Sequence, residues 1–273
     1  MQQCYKLNEI ELNRNKPFII AGPCILESDE INHLIAKTLK EICNKYGVDY
    51  IFKASFDKAN RTSIDSFRGN GIENGLQKLK DIKEKFNLPI LTDIHESYQA
   101  ALAAEVVDIL QIPAFLCRQT DLLIAAAKTN KIVNVKKAQF LGADDMRHVV
   151  KKIKDAGNNN IMLTERGTMF GYQNLIVDYR NILEMKEFGY PVIMDATHAT
   201  QRPGAAGGKS GGNPEFAPYL AYAATVCGVN GYFFEVHPEP KKALSDASTM
   251  IDFEEFEKTV KNLVALFELR KSF

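Results

Sequence analysis

Five basic side chains stand at, or just after, the ends of short apolar runs: Lys53, Lys58, Arg61, Lys136 and Arg166. An arginine guanidinium binds phosphate or carboxylate through two parallel hydrogen bonds, and a lysine adds a compact positive charge. Taken singly, each of these cations is more simply a solvated surface charge. If one fold brings them together, they suit a polyanionic small molecule that carries more than one phosphate group.

A second set combines a thiol, an imidazole and two carboxylates, from Cys24, His198, Glu235 and Asp246. Mixed sulfur, nitrogen and oxygen donors suit a first-row divalent transition metal better than Mg²⁺. The spacing alone leaves another interpretation open, in which Cys24 is a small buried residue and His198 a hydrogen-bonded loop histidine. The residue types therefore indicate a metal site only if the fold brings the four side chains together.

The glycine-rich run GGKSGG at Gly207–Gly212 looks like the end of a phosphate-binding loop. Pro203, however, stands where that motif needs its first glycine. We predict a mobile loop at the rim of the site instead, because glycine permits unusual backbone angles and close approach to a ligand. The chain contains no GxGxxG segment, so the sequence does not support a dinucleotide-binding fold.

Eight short apolar or β-branched runs predict strands, and each is followed by a stretch with helical spacing. One such stretch is Asp29–Tyr46, with Ser28 as its N-cap candidate. Eight evenly spaced units favour a closed (β/α)₈ barrel, with a doubly wound sheet as the structural alternative. The alternating polarity of residues 4–12 predicts a small hairpin at the barrel floor. The predicted strands are Phe18–Ala21, Tyr50–Lys53, Pro89–Thr92, Val107–Gln111, Ile132–Lys136, Ile161–Thr164, Pro191–Met194 and Gly231–Glu235.

The composition excludes several classes of protein. Thirty-four basic and thirty-four acidic side chains cancel, so no overall field draws the chain to nucleic acid or to an anionic membrane. No apolar run approaches the roughly 20 residues of a membrane span, and the first residues lack the apolar stretch of a signal peptide. Scattered cysteines without a CxxC pair indicate a reducing, cytoplasmic setting. We expect residues 1–273 to form one catalytic domain.

In a (β/α)₈ barrel the catalytic groups lie at the C-terminal ends of the strands and in the loops that follow. The predicted barrel places nearly all of the candidates on that rim. Besides the cations and potential metal ligands, the rim carries Asn60, Asp93, Gln111 and Arg118. Because the first and last strands are neighbours in a closed barrel, residues far apart in sequence would meet there.

Eight segments carry a close resemblance to a known family, across essentially the whole chain. They are IIAGPCILES (Ile19–Ser28), FKASFDKANRTS (Phe52–Ser63), TDIHE (Thr92–Glu96), LQIPAFLCRQTDLL (Leu110–Leu123), NVKKAQF (Asn134–Phe140), LTERGTMFGYQNLIVDYR (Leu163–Arg180), MDATHATQRPG (Met194–Gly204) and EVHPEPKKALSD (Glu235–Asp246). In number and order they resemble the 3-deoxy-D-manno-octulosonate 8-phosphate synthases. The resemblance implies a (β/α)₈ barrel, usually a homotetramer, that condenses phosphoenolpyruvate with D-arabinose 5-phosphate for lipopolysaccharide synthesis.

The resemblance also implies roles for individual residues. The phosphoenolpyruvate site would consist of Lys58, Gln111, Ala114, Lys136 and Arg166. The arabinose 5-phosphate site would consist of Lys53, Asn60, Arg61, Thr62 and Asp93, with Arg118 reaching the sugar phosphate of a neighbouring subunit. The residues implied to act in catalysis are Lys58, Asn60, Lys136 and His198.

This family divides into a metal-dependent class with cysteine after Gly-Pro and a metal-independent class with asparagine there. Cys24 places the chain in the first class, and the resemblance implies that His198, Glu235 and Asp246 complete the ligands of one Zn, Fe, Mn or Co ion. The nearest rivals are the 3-deoxy-D-arabino-heptulosonate 7-phosphate synthases, which use erythrose 4-phosphate and lack a counterpart of Asn60. A barrel that only binds a phosphorylated sugar is more remote, because no catalytic group is missing.

Overall fold

The computed structural model describes residues 4–7, 10–12, 16–61, 63–206 and 209–272. Its strands are β1 (Tyr5–Leu7), β2 (Ile10–Leu12), β3 (Phe18–Gly22), β4 (Asp49–Lys53), β5 (Ile90–Asp93), β6 (Ile109–Ile112), β7 (Ile132–Lys136), β8 (Ile161–Glu165), β9 (Val192–Asp195), β10 (Gln201–Ala206), β11 (Lys209–Gly212) and β12 (Gly231–Glu235). Its α-helices are α1 (Asp29–Lys45), α2 (Ile72–Phe86), α3 (Gln99–Ala104), α4 (Thr120–Lys128), α5 (Met146–Asp155), α6 (Arg180–Lys186), α7 (Ala217–Val226) and α8 (Phe253–Arg270).

Eight of these strands form a closed parallel barrel in the order β12-β3-β4-β5-β6-β7-β8-β9. The barrel closes because β12 pairs with β3 on one side and with β9 on the other. Helices alternate with the strands along the chain, as in other (β/α)₈ barrels. The predicted (β/α)₈ barrel is therefore confirmed, and the doubly wound sheet is wrong.

The N-terminal hairpin was also predicted correctly. Strands β1 and β2 pair antiparallel, with Tyr5 opposite Leu12. The Tyr5 hydroxyl donates to the carbonyl oxygen of Ile161 at 2.6 Å and accepts from its backbone N–H at 2.8 Å. Because Ile161 begins β8, these contacts hold the hairpin against the N-terminal end of the barrel. There its apolar side chains pack with inward-facing residues of the barrel strands, such as Phe18.

Two predicted segments differ from the structure by more than a shift of one residue. The strand expected from Val107 begins two residues later, because the Val107 N–H donates to the carbonyl oxygen of Ala103 and closes the end of α3. The glycine-rich run expected to be a mobile loop contributes β11, which pairs antiparallel with β10. Glycine disfavours strands only weakly when a neighbouring strand supplies the hydrogen bonds. Residues 207 and 208 of that run lie outside the described part of the chain.

Side-chain capping and apolar spacing explain the longest helices. The predicted cap of α1 is present, since the Ser28 hydroxyl accepts from the backbone N–H of Ile31. The Asp252 carboxylate caps α8 in the same way through the N–H of Glu255. Among the described helices, none combines the length and the apolar character needed to cross a membrane.

The close packing of β3 against β4 requires a glycine at the rim of the barrel. A Cβ atom on Gly22 would lie 1.9 Å from the carbonyl oxygen of Lys53. Gly22 is also the residue of β3 that pairs with Glu235 of β12. This glycine therefore brings three strands together directly below Cys24.

Candidate active site

A cavity of about 1280 Å³ opens at the C-terminal ends of the barrel strands. Most of the predicted binding residues line it, and the five cations predicted to converge do so. The predicted residues in its wall are Lys53, Lys58, Asn60, Arg61, Asp93, Ala114, Lys136, Arg166, His198 and Asp246. Gln111 lies buried beneath the wall, and Arg118 is exposed outside it. Thr62 lies outside the described residues.

The four predicted metal ligands meet at one side of this cavity. One ligand atom from each of Cys24, His198 and Glu235 lies within 4.8 Å of the other two. The fourth residue, Asp246, approaches through its Oδ2 atom, which is 2.9 Å from the Cys24 Sγ and 3.7 Å from the His198 Nε2. Cys24 is buried and His198 is hydrogen-bonded to Asp195, as the alternative interpretation expects, but the same structure also brings a carboxylate and an imidazole to the Cys24 thiol, as a metal site requires.

Two of these four residues have a left-handed backbone. The φ angles are +41° for Cys24 and +49° for Asp246. This conformation is uncommon outside glycine and costs on the order of 1–3 kcal/mol per residue, so the surrounding structure must enforce it. Part of that enforcement is visible, because the Cys24 N–H donates to the Glu235 Oε2 at 2.7 Å, and the Thr249 N–H donates to the Asp246 carbonyl.

Lys53 lies between the potential metal ligands and the remainder of the cavity floor. Its buried ammonium donates to the Glu235 Oε1 at 2.7 Å and to the Cys24 carbonyl oxygen at 2.9 Å. Burial opposes the charge of Lys53, but Glu235, Cys24 and Asp93 together outweigh it and leave the pKa above its usual value. Lys53 is therefore a charged group that holds the Glu235 carboxylate in place.

Asp195 links a predicted substrate-binding cation to a predicted metal ligand. Its Oδ2 atom is 2.6 Å from the Lys136 Nζ and 2.8 Å from the His198 Nδ1. Burial opposes protonation of His198, but the Asp195 carboxylate raises the pKa of His198 to about 10. With Nδ1 held by Asp195, the other ring nitrogen faces Glu235 and Asp246, an arrangement that orients metal-binding histidines. The predictions did not assign Asp195 a role, although a carboxylate that ends a barrel strand was a usable signal.

Arg166 presents an unpaired donor within the cavity wall. Its Nη2 atom donates to the Gln201 side chain and to the His198 carbonyl oxygen. Its Nη1 atom is buried and lacks a hydrogen-bond partner among the described residues. Burying a charged donor without a partner is costly, which makes this atom a candidate contact for a bound anion.

Asp93 is the anionic counterpart of these cations. Burial favours its neutral form, but Lys53, Lys58 and Lys136 together hold the pKa of the carboxyl well below its usual value. The pKa of Lys58 is raised in turn, because the nearby acidic groups outweigh the effect of its burial. Asp93 is therefore ionised and Lys58 is protonated near neutral pH.

The outer part of the cavity wall is more polar and more exposed. Asn60 is exposed, and the Arg61 guanidinium donates to the carbonyl oxygens of Phe67 and Leu244. These contacts join the loop after β4 to the loop that carries Asp246. His95 and Gln139 also line the cavity and were not among the predicted site residues. Both lie inside the quoted motifs, His95 two positions after Asp93 and Gln139 three positions after Lys136.

A further buried ion pair lies behind the wall, on the helix side of the barrel. Lys137 and Glu165 are both fully buried, with the Nζ 3.6 Å from the Glu165 Oε2. Glu165 accepts from the backbone N–H groups of Arg166 and Gly167 and from the Asn181 side chain. Because side chains alternate along a strand, Lys137 faces away from the cavity that Lys136 enters. The pair thus fixes the backbone next to Arg166.

These features define a (β/α)₈-barrel enzyme whose mouth holds a cluster of cations beside residues that could hold a metal ion. A sequence model of the DAHP synthetase I family matches residues 6–271. The chain belongs to the DAHP synthetase I family.

Curated relatives match nearly the full chain. The chain is 53% identical over 259 residues to a protein of Cyanothece sp., covering 94% of this chain and 95% of the relative. It is 51% identical over 267 residues to a protein of Fusobacterium nucleatum, covering 97% and 96%. It is 50% identical over 269 residues to a protein of Shewanella oneidensis, covering 98% and 95%. All three relatives are named 2-dehydro-3-deoxyphosphooctonate aldolase.

Proposed function

We propose that this enzyme condenses phosphoenolpyruvate with D-arabinose 5-phosphate and water. The products are 3-deoxy-D-manno-octulosonate 8-phosphate, a precursor of lipopolysaccharide, and inorganic phosphate. The observation that carries the proposal is the cavity, in which a buried group of cations lies beneath a polar, more exposed rim. Such a site suits two different phosphorylated substrates, and the names of the relatives at about half identity agree with this reaction.

Phosphoenolpyruvate would bind at the deeper end of the cavity. The molecule carries a phosphate and a carboxylate, and Lys136 and Arg166 offer nearly buried cations at the floor. The unpaired Arg166 Nη1 would gain its missing partner from one of these anions. Lys58 and the backbone at Ala114 would complete the site, with Gln111 acting from beneath the wall.

Arabinose 5-phosphate would bind above it. The sugar phosphate would contact Asn60, Arg61 and Thr62, and Asp93 would accept hydrogen bonds from the sugar hydroxyl groups. Lys53 lies below Asp93, with its Nζ 3.9 Å from the Asp93 Oδ2, and keeps that carboxylate charged. Arg118, exposed outside the cavity, would reach the sugar phosphate of a neighbouring subunit in a homotetramer.

The reaction joins carbon three of phosphoenolpyruvate to the aldehyde carbon of the sugar, while water adds at carbon two. The bond between carbon two and the phosphate oxygen then breaks, and inorganic phosphate leaves. One proton of the water reaches the former aldehyde oxygen and the other leaves with phosphate. Preorganised cations at Lys58, Lys136 and Arg166 would stabilise the charge that gathers on the departing phosphate, in a pocket that restricts water.

The residues Cys24, His198, Glu235 and Asp246 fit one divalent ion of Zn, Fe, Mn or Co. The fit rests on their mutual distances and on the mixed sulfur, nitrogen and oxygen donors, since a thiolate favours softer ions than Mg²⁺. When bound, such an ion polarises a carbonyl group or lowers the pKa of a water molecule. Around it, Asp195 holds the His198 ring and Lys53 holds the Glu235 carboxylate.

The test is phosphate release from phosphoenolpyruvate with either of two sugars, arabinose 5-phosphate or erythrose 4-phosphate, each with and without chelator. We expect a strong preference for arabinose 5-phosphate, because Asn60 adds a polar group beside the sugar, and an unpaired partner there costs about 1–3 kcal/mol. Equal kcat/KM values for the two sugars would reject the proposal, and a preference for erythrose 4-phosphate would favour the heptulosonate alternative. No phosphate release with either sugar would support a barrel that only binds sugar phosphates.

A further inference from the structure

A row of buried polar side chains crosses four adjacent barrel strands directly beneath the cavity. The Thr164 hydroxyl of β8 donates to the Asn134 Oδ1 of β7 at 2.8 Å. The Asn134 Nδ2 donates to the Gln111 Oε1 of β6 at 2.8 Å, and the Gln111 Nε2 donates to the Asp93 Oδ1 of β5 at 2.6 Å. All four side chains are buried. The presence of buried polar side chains here requires an explanation, because apolar side chains fill the barrel interior one layer lower.

Strand register keeps this row in place. Asp93 is the direct partner of Gln111 across β5 and β6, and Gln111 is the direct partner of Asn134 across β6 and β7. The three side chains therefore lie side by side on three neighbouring strands. Their contacts depend on the barrel itself and not on the loops of the rim.

The charge of Asp93 determines which way every group in the row points. An ionised carboxylate only accepts hydrogen bonds, so Gln111 must turn its NH₂ group toward Asp93 and its oxygen toward Asn134. Asn134 must then turn its NH₂ group toward Gln111 and its oxygen toward Thr164, whose hydroxyl must donate. The hydrogen bonds all run in one direction and end on the carboxylate, and chains of this kind reinforce one another.

The row also leaves a defined part of Asp93 available to the cavity. One carboxylate oxygen accepts from Gln111 and the other accepts from the Ser55 hydroxyl. Each oxygen has two lone pairs, so one on each remains for the cavity that Asp93 lines. Because both oxygens are held, the plane of the carboxylate and the direction of these lone pairs are fixed.

We propose that Asn134 is a positioning residue that sets the orientation of Asp93 through Gln111 and thereby selects the configuration of the sugar hydroxyl groups. This inference rests on the proposed function, in which Asp93 accepts hydrogen bonds from the sugar. Asn134 itself does not line the cavity, and its effect passes through two hydrogen bonds. Without it, the Gln111 Oε1 loses its hydrogen-bond partner, and the Gln111 amide that holds the Asp93 Oδ1 is free to shift.

The test compares Asn134→Leu with Thr164→Val, using arabinose 5-phosphate and ribose 5-phosphate as the two sugars. These sugars differ only in configuration at carbon two. Both variants remove buried hydrogen bonds, but only Asn134→Leu breaks the connection to Gln111 and Asp93. Thr164→Val is therefore the matched control for lost buried polarity. Asn134→Ala serves as a second variant that adds no bulk, and circular dichroism with thermal unfolding identifies the folded ones.

We expect Asn134→Leu or Asn134→Ala to raise KM for arabinose 5-phosphate about tenfold, equivalent to about 1.4 kcal/mol. KM for phosphoenolpyruvate should stay within twofold, and the preference for arabinose 5-phosphate over ribose 5-phosphate should fall at least fivefold. Thr164→Val acts one hydrogen bond further from Asp93 and leaves the contacts of Asn134, Gln111 and Asp93 in place, so it should change KM and preference less than either Asn134 variant while lowering the melting temperature.

Two results would overturn the inference. One is a folded Asn134 variant with an unchanged sugar preference, and the other is an equal loss of preference in Thr164→Val. Failure of the proposed function looks different, because the wild-type enzyme would then show no turnover of arabinose 5-phosphate at all.

Discussion

Lys53 and Glu235 form a buried ion pair of 2.7 Å, although the two residues lie 182 positions apart in the chain. The other Glu235 oxygen accepts the backbone N–H of Cys24. The carboxylate is thus fixed by the closure of the barrel, before any metal binds. A group fixed in this way loses little conformational entropy when it becomes a ligand.

Metal removal is the first prediction. Chelation should abolish activity, and a divalent transition metal should restore it better than Mg²⁺, because the Cys24 thiolate favours softer ions. His198→Ala or Glu235→Ala should lower the bound metal and the rate together. We would measure the bound metal by elemental analysis of each purified variant and compare it with the rate of phosphate release. A metal-free wild-type preparation with full activity would remove the metal from the proposed mechanism.

Cys24→Asn gives a sharper version of this test, because asparagine keeps a polar side chain at this position but removes the thiolate donor. The variant should lose tight metal binding but keep a measurable rate that chelator does not reduce. The reason is that Lys136 and Arg166, at the phosphoenolpyruvate end of the cavity, are untouched. A rate that still depends on added metal would contradict this expectation.

Arg118→Ala should weaken binding of the sugar phosphate through the neighbouring subunit. Loss of one charge-assisted contact to phosphate should cost about 1.5–3 kcal/mol, and KM for arabinose 5-phosphate should rise accordingly. Steady-state kinetics are measured on a preparation whose oligomeric state has been checked by light scattering. An unchanged KM in an intact oligomer would show that Arg118 does not serve the site of its neighbour.

The Lys137–Glu165 pair should be important for stability. Lys137→Met leaves a buried carboxylate without its cation, which should lower the free energy of unfolding by about 3–5 kcal/mol. The double variant Lys137→Met/Glu165→Gln removes the charge as well and should recover at least about 1 kcal/mol. Urea unfolding of the two single variants and the double variant gives the coupling energy. Strictly additive losses would mean that the two charges do not interact.

Gly22→Ala should prevent the normal approach of β3 to β4. The new Cβ atom would lie 1.9 Å from the Lys53 carbonyl oxygen, an overlap that backbone atoms cannot relieve without moving a strand. Gly142→Ala is the matched control, since the nearest atom there, an Asp145 carboxylate oxygen, is 3.8 Å away. We expect soluble yield and melting temperature to fall sharply for Gly22→Ala and to stay near wild type for Gly142→Ala.

The barrel could be predicted from sequence because its strands are short apolar runs of the right number and spacing. Strand ends were less predictable. Val107 is apolar and buried like a strand residue, yet its N–H completes a helix. Hydrophobicity does not distinguish a buried strand residue from a buried residue at the end of a helix, because both positions exclude water. The β10–β11 hairpin was not predicted for another reason. Its strands pair through backbone hydrogen bonds, and a glycine-rich sequence lacks the alternating apolar side chains that predict a strand.

The candidate site was predictable where a residue stands at the C-terminal end of a strand. Lys136 and Glu235 follow that rule, and the structure places them at the mouth of the barrel. The supporting contacts were not predictable in the same way. Asp195 contacts Lys136 and His198 because the tilt and closure of the barrel bring the end of β9 close to the end of β7. Such contacts depend on distances between strands, which the order of residues alone does not supply.

The N-terminal hairpin affects how substrates reach the cavity and how products leave it. With Tyr5 fastened to Ile161, the hairpin covers the end of the barrel opposite the catalytic cavity. The substrates and products of the proposed reaction would therefore share the opening at the C-terminal ends of the strands. In the proposed arrangement, arabinose 5-phosphate near Asn60 would lie between the opening and the deeper cations, so phosphoenolpyruvate would have to bind before the sugar.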